Sequence, residues 1–210
     1  QVDEYYYITL MNENYPHPDL PADAVEGVIK GMYLLKDAGK AKKGELRVQL
    51  MGSGTILREV LAAAELLDKD FGVTADVWSC PSFTELRRDG FDCERWNRLH
   101  PEEKPRKPYV TRCLEGRPEG PVIAASDYVR AFTDQIRAFV PRTFTVLGTD
   151  GFGRSDTRAN LRRFFEVDRY WIAHAAIDAL VKDGRMTPRD SARAIKLYKL
   201  DPDKPNPVTV

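Results

Sequence analysis

The residues of this 210-residue chain that could carry chemistry are three histidines, three cysteines and two glycine-rich loops. Cys80, Cys93 and Cys113 are odd in number and far apart. With no CxxC pair among them, neither a zinc site nor a disulfide framework is expected, and three reduced thiols are the plain reading. His17, His100 and His174 are scattered too, without the spacing of a metal cluster. Serine chemistry would need a nucleophile, a histidine and an acid within reach of one another, and no GxSxG elbow occurs. His174 stands among Ala173, Ala175 and Ala176 in a helical run, which reads as packing. His100 has Asp92, Glu94 and Arg95 nearby and could act as an acid or base, although a surface hydrogen bond accounts for it as well. Cys93 has charged neighbours, but nothing there marks an activated thiol.

The first loop is Gly52-Ser53-Gly54, which follows a strand-like run and opens a helical one. A dinucleotide fingerprint would need a third glycine where Leu57 stands, and an acidic residue near Ser79 and Cys80. Both are missing, so a tight turn is expected. The second loop, GTDGFGRSD over 148–156, could hold an anion through its glycines, Ser155 and a helix N-terminus. Arg154 favours that, whereas Asp150 and Asp156 oppose it. The other reading is a capping turn packed at an interface, with Gly151, Phe152, Gly153, Arg154 and Ser155 as the contact loop and Phe152 as its anchor. Here Ser155 or Asp156 is expected to cap the following helix. Trp78, Trp96, Trp171 and Tyr5, Tyr6 and Tyr7 read as core or interface.

Lys and Arg total 32 and Asp and Glu total 32, so the formal charge is zero. A nucleic-acid partner would call for a basic excess. No apolar run approaches the ~20 residues of a membrane span. The opening residues QVDEYYYITLM have neither a basic region nor an apolar core of a secretory signal.

Periodicity supplies the elements that must position these groups. Strands are expected over 4–11, 46–51, 75–80, 121–126 and 144–147. Helices are expected over 24–37, 56–71, 83–88, 128–140, 157–165, 170–182 and 187–199. Ser82 is placed to cap the third of them, with Glu85 three residues on. The stretch between 89 and 108 reads as irregular, and the proline-rich tail as extended. From Leu46 onward strands alternate with helices, which predicts a three-layer α/β/α fold on a mostly parallel sheet of about five strands, four of them visible and one hidden. The strand at 4–11 has no partner before it and is expected to join the sheet of another domain.

Four segments carry a resemblance: YYYITLMNENY (5–15), GSGTILREV (52–60), SFTELRRDGFDCERWNRLHP (82–101) and VLGTDGFGRSDTRANLRRFFEVD (146–168). Through them the chain resembles the C-terminal part of the homodimeric pyruvate dehydrogenase E1 components of bacteria. It is more distantly similar to the C-terminal domain of transketolases. The resemblance implies a cytoplasmic thiamine diphosphate enzyme that decarboxylates pyruvate and acetylates the lipoyl group of a dihydrolipoyl acetyltransferase. It implies that thiamine diphosphate and Mg²⁺ are bound by domains outside this chain, which would be inactive alone and serve architecture and dimerisation. Residues 1–18 would then close the pyrimidine-binding domain, 19–44 would connect, and 45–210 would form the C-terminal domain. Transketolases carry a phosphate-binding arginine just after the strand matching 5–11, where Asn12 stands here. Since pyruvate bears no phosphate, Asn12, Glu13 and Asn14 are expected to edge the active-site channel. An independent module for a phosphate- or nucleotide-containing ligand is the alternative.

Overall fold

The computed structural model describes residues 3–8 and 13–210. Its centre is a five-stranded sheet in the order β1-β3-β2-β4-β5. The strands are β1 (Tyr33–Lys36), β2 (Leu46–Gly52), β3 (Val73–Ser79), β4 (Val122–Ala125) and β5 (Phe144–Leu147). β2, β3, β4 and β5 pair in parallel, and β1 adds to β3 antiparallel at one edge. Val48, Leu50, Val77 and Ile123 are solvent-free on one face, and Met51, Trp78, Val122 and Ala124 are buried on the other. β2 alternates apolar and polar residues, yet Arg47 and Gln49 are buried as fully as Val48 and Leu50, because both faces of a parallel sheet are covered.

Helices α2 (Leu57–Phe71), α7 (Arg169–Lys182) and α8 (Pro188–Leu197) cover the first face. On the second lie α3 (Phe83–Leu99), α4 (Tyr109–Glu115) and the short α5 (Arg130–Asp134) with the 3-10 turn Arg137–Phe139. The alanines of α7, among them Ala173, Ala176 and Ala179, are fully buried and let it lie close against α2. Capping fixes the helix starts. Ser82 Oγ accepts from the Glu85 N–H at 3.1 Å, and Asp168 accepts from the N–H groups of Tyr170 and Trp171, both at 2.9 Å.

Several elements differ from expectation. The helix expected over 24–37 is α1 (Val25–Lys30), ended by Gly31 in the left-handed region at φ 97°. The residues after it turn into β1, the hidden fifth strand. The stretch from 89 to 108 is mostly ordered: α3 runs on to Leu99, and α4 follows at Tyr109. The helix expected over 128–140 is two short pieces, since Ile136 leaves helical geometry at ψ 0°. Residues 3–8 have no regular structure, with Tyr5, Tyr6 and Tyr7 at least 80% exposed, so within the described residues the strand expected over 4–11 is not formed. Its remaining residues, 9–11, lie outside the described ones.

One polar network is built into the core beside β2 and β3. Asp76 accepts from Arg117 Nη2 at 2.8 Å, Arg117 Nε at 3.1 Å, Gln49 Nε2 at 2.8 Å and the Ala38 N–H at 2.9 Å. Gln49 Oε1 accepts from the Trp78 indole at 2.8 Å. Arg47, 1% exposed, donates to the carbonyls of Ala38 and Gly39 and faces Asp76 at 3.8 Å. Burial works against the Asp76 carboxylate, but the bonds from Arg117, Ala38 and Gln49 outweigh it and hold it below the usual carboxylate range.

Candidate functional site

The chain runs from β2 through α2 to β3 on one side, then crosses to β4 on the other side of β2. The carboxyl ends of β2 and β4 therefore send their chains in opposite directions, and a crevice opens between the loops that follow. Both glycine loops end there. A cleft of about 300 Å³ is lined by Thr55, Asp127, Thr149, Gly151, Phe152, Gly153, Arg154, Arg158 and Arg162 over an apolar floor that includes Ile56, Leu161 and Phe165.

The polar groups of the first loop are spent within the protein. Ser53 Oγ hydrogen-bonds Ser126 Oγ at 3.0 Å, the Ser53 N–H meets Ala125 O at 3.4 Å, and Thr55 Oγ1 donates to Asp127 at 3.3 Å. The loop closes onto the end of β4, which fits the tight turn expected from the missing third glycine.

The second loop is anchored at its base and open at its tip. Asp150 accepts from the Arg130 N–H at 2.9 Å and pairs with Arg130 Nε at 3.0 Å. Gly151 takes φ 104°, and a side chain there would lie 2.2 Å from Pro207 O, so only glycine fits under the tail. Phe152 is 77% exposed, and Gly153 has open space around it. The cap of α6 (Arg158–Phe164) is neither Ser155 nor Asp156 but Thr157, whose Oγ1 accepts from the Asn160 N–H at 3.3 Å. Asp156 instead takes the Thr157 N–H at 2.6 Å and the Asn160 amide at 2.8 Å. Thr157 sits at the geometric N-cap because its backbone is extended while Arg158 begins the helix.

The cleft arginines are largely compensated. Arg162 lies 3.2 Å from Glu59, Arg158 lies 2.7 Å from Glu13, and Arg154 stacks over the Phe164 ring at 4.5 Å. Two groups singled out in the sequence are thus brought together: Glu13 reaches the helix that follows the 151–155 loop. Asn14 is exposed, and Asn12 lies outside the described residues.

His100, His174 and the cysteines do not line this cleft. His100 stacks on Trp96 at 4.4 Å and places Nδ1 2.8 Å from Trp96 O, a surface contact. His174 packs edge-on to Trp171 and lies 3.1 Å from Ser191 Oγ. Burial lowers its pKa, with Asp178 and Glu166 pulling the other way. An imidazole whose folded value lies below its unfolded one leaves stability complete above about 6.5 and drains it as pH falls below that. Urea denaturation between pH 7 and pH 5 is expected to give a falling stability that His174→Gln flattens. Burial pushes all three thiols up in pKa, most strongly Cys80. Among the described residues, no group of three His, Cys, Asp or Glu gathers as a metal site would require, and no helix is long and apolar enough to cross a membrane.

The model of the transketolase-like TK C-terminal domain matches residues 31–168. The chain belongs to this family. The transketolase-like domain here has close relatives among pyruvate dehydrogenase E1 components. It is 59% identical to that of Cupriavidus necator over 210 residues, all of this chain and 23% of the relative. It is 50% identical to that of Escherichia coli K12 over 208 residues, 99% of this chain and again 23% of the relative. A transketolase from Pichia stipitis, solved in complex with xylulose 5-phosphate, superimposes with a TM-score of 0.53 at 19% identity, over 80% of this chain and 20% of that one. The last likeness concerns the fold, and it agrees with the three-layer reading. The transketolase-like domain thus spans under a quarter of the length of the E1 components it matches.

Sequence reasoning missed what holds the cleft together. Glu59 is buried at the start of α2 and accepts from Arg169 N–H, Nε and Nη2 as well as Arg162. One acidic residue among four in a helical run gives no sign of partners about a hundred positions later.

Proposed function

We propose that this chain is the C-terminal structural part of a homodimeric pyruvate dehydrogenase E1 component acting in the bacterial cytoplasm. The observation that carries the reading is 59% identity to such a component along the whole chain. In the entire protein, the reaction would be decarboxylation of pyruvate with thiamine diphosphate and transfer of the acetyl unit to the lipoyl group of a dihydrolipoyl acetyltransferase. The residues here do not fit the cofactor. A Mg²⁺ ion that bridges a diphosphate needs a free carboxylate, and the nearest approach to the family's GDG motif, Thr149-Asp150-Gly151, has its carboxylate tied to Arg130. Thiamine diphosphate and Mg²⁺ are therefore assigned to the two domains that would precede this one. We assign residues 1–18 to the end of the pyrimidine-binding domain, 19–44 to the connection and 45–210 to the C-terminal domain. The exposed Tyr5, Tyr6 and Tyr7 support a strand that pairs with residues beyond the described fold. β1 at 33–36 draws part of the connection into this sheet.

In this reading the domain supplies contact surface for the E1 homodimer. The loop Gly151-Phe152-Gly153-Arg154-Ser155 offers an exposed aromatic on a rigid base, which is what an interface anchor needs. Asn12, Glu13 and Asn14 edge the pyruvate channel. The alternative, a free-standing phosphate or nucleotide module, has little support, because the hydroxyls of the Gly52-Ser53-Gly54 turn are already bonded inside the protein.

Thermal-shift titration of this chain with thiamine diphosphate and Mg²⁺, NAD or ATP is expected to leave its midpoint unmoved up to millimolar ligand. Since a ligand at a hundred times its Kd stabilises by about 2.7 kcal/mol, a micromolar binder would be plain. Such a shift would reject the structural reading. The matching assay is pyruvate decarboxylation by the full-length protein with the cofactor present.

A further inference from the structure

Four side chains from three separate segments meet around Arg158, one of the residues that line the cleft. Glu13 Oε1 lies 2.7 Å from Arg158 Nε, at the start of α6. The Tyr15 hydroxyl donates to Glu13 Oε2 at 2.5 Å. The Tyr15 ring has the Arg58 guanidinium 4.6 Å from its centroid and that of Arg158 at 6.0 Å. Arg58 is the second residue of α2, shortly after the Gly52-Ser53-Gly54 turn, and Arg158 opens α6, just behind the 151–155 loop. One aromatic ring is therefore attracted by cations from both helices that the glycine loops lead into, and one carboxylate balances the α6 cation. Pro16 follows Tyr15 and restricts it to extended backbone, and Pro18 stiffens the chain two residues on. On the N-terminal side the Glu13 carboxylate, held by both the Tyr15 hydroxyl and Arg158, ties the chain between Glu13 and Tyr15 to the same point.

We infer that Tyr15, clasped by Arg58 and Arg158, is a positioning residue that holds Glu13 and Asn14 at the carboxyl end of this domain's sheet. The inference rests on the reading that these residues edge the pyruvate channel. Tyr15 itself touches no reacting atom; it determines where its neighbours stand. Arg58 acts through Tyr15, so its effect on turnover is indirect.

Two readouts on the full-length protein separate the clasp from the channel reading. The first is cleavage of the Glu13–Asn14 bond by a glutamate-specific endoprotease, followed by mass spectrometry. Cleavage needs the Glu13 side chain released into the protease, so its rate reports the open fraction. Tyr15→Leu and Arg58→Leu are expected to raise it about tenfold, and Arg58→Lys, which keeps a cation over the ring, to stay within about twofold of the parent. The second is pyruvate kinetics, where the two leucine variants are expected to raise KM several-fold and leave kcat within about twofold, the pattern of lost uniform binding. Cleavage unchanged in Tyr15→Leu overturns the clasp whatever the kinetics. Cleavage raised with KM unchanged leaves the clasp standing but removes the positioning role, and with it the placement of Glu13 and Asn14 at the channel.

Discussion

Asp76→Ala is expected to cost about 4 kcal/mol of folding stability, lowering the thermal midpoint by roughly 10 °C. The carboxylate is fully buried and sits between two guanidinium groups, Arg117 bonded through two nitrogens and Arg47 at 3.8 Å. Removing it leaves Arg47 inside the protein with only the Ala38 and Gly39 carbonyls and the edge of Glu45. It also strands the Ala38 N–H and the Gln49 amide, each of which then bears its own desolvation penalty. Scanning calorimetry of the variant checks the magnitude; a loss near 1 kcal/mol would mean that water enters and the network is not closed. The same group sets an acid limit. Its folded pKa lies below the unfolded one, so its contribution is complete above about pH 4 and is lost as pH falls through the folded value. Asp76→Ala is therefore expected to flatten stability against pH below 4 while lowering it at pH 7.

Glu59→Ala is the second large effect, at about 3 kcal/mol. Glu59 takes three bonds from Arg169, at 2.9 to 3.1 Å, and one from Arg162 at 3.2 Å, while it is itself 5% exposed. Those bonds join α2 to α6 and to the first residue of α7. Both arginines retain some solvent access, so their release costs less than the isolation of Arg47. Glu59→Gln keeps the shape and two of the acceptor positions and is expected to lose about half as much. Urea denaturation of the pair measures the difference, and a glutamine variant as weak as the alanine one would show that charge, not geometry, holds the wall of the cleft.

How much of this was readable follows from how far each feature reaches along the chain. β2, β3, β4 and β5 announce themselves through β-branched and apolar runs bounded by glycine, serine or proline, which is local information. β1 hid because Val25, Val28, Ile29, Met32 and Leu35 fall at helical spacing. Gly31 at φ 97° breaks the helix between them, and Met32 then enters the core beneath α3. The polar stretch after Arg88, which includes Gly90, made α3 look short. In the structure Gly90 is a packing position, where an added side-chain carbon would lie 2.3 Å from the Phe139 ring. The Asp76 network and the Glu59 contacts join residues dozens to a hundred positions apart, and no periodicity encodes such pairings. The two glycine loops were visible as loops, but their meeting at one crevice depends on the strand order.

The buried, pKa-raised thiols have a practical corollary. Cys80 and Cys93 are enclosed, Cys113 is half-buried, and none is poised to ionise near neutral pH. A Phe152→Cys substitution would therefore put one fast-reacting sulfur on an otherwise quiet background, and a maleimide dye or spin label would attach there without stripping the native cysteines. That gives a reporter at the tip of the loop, whose emission or line shape would register each event of assembly as it happens.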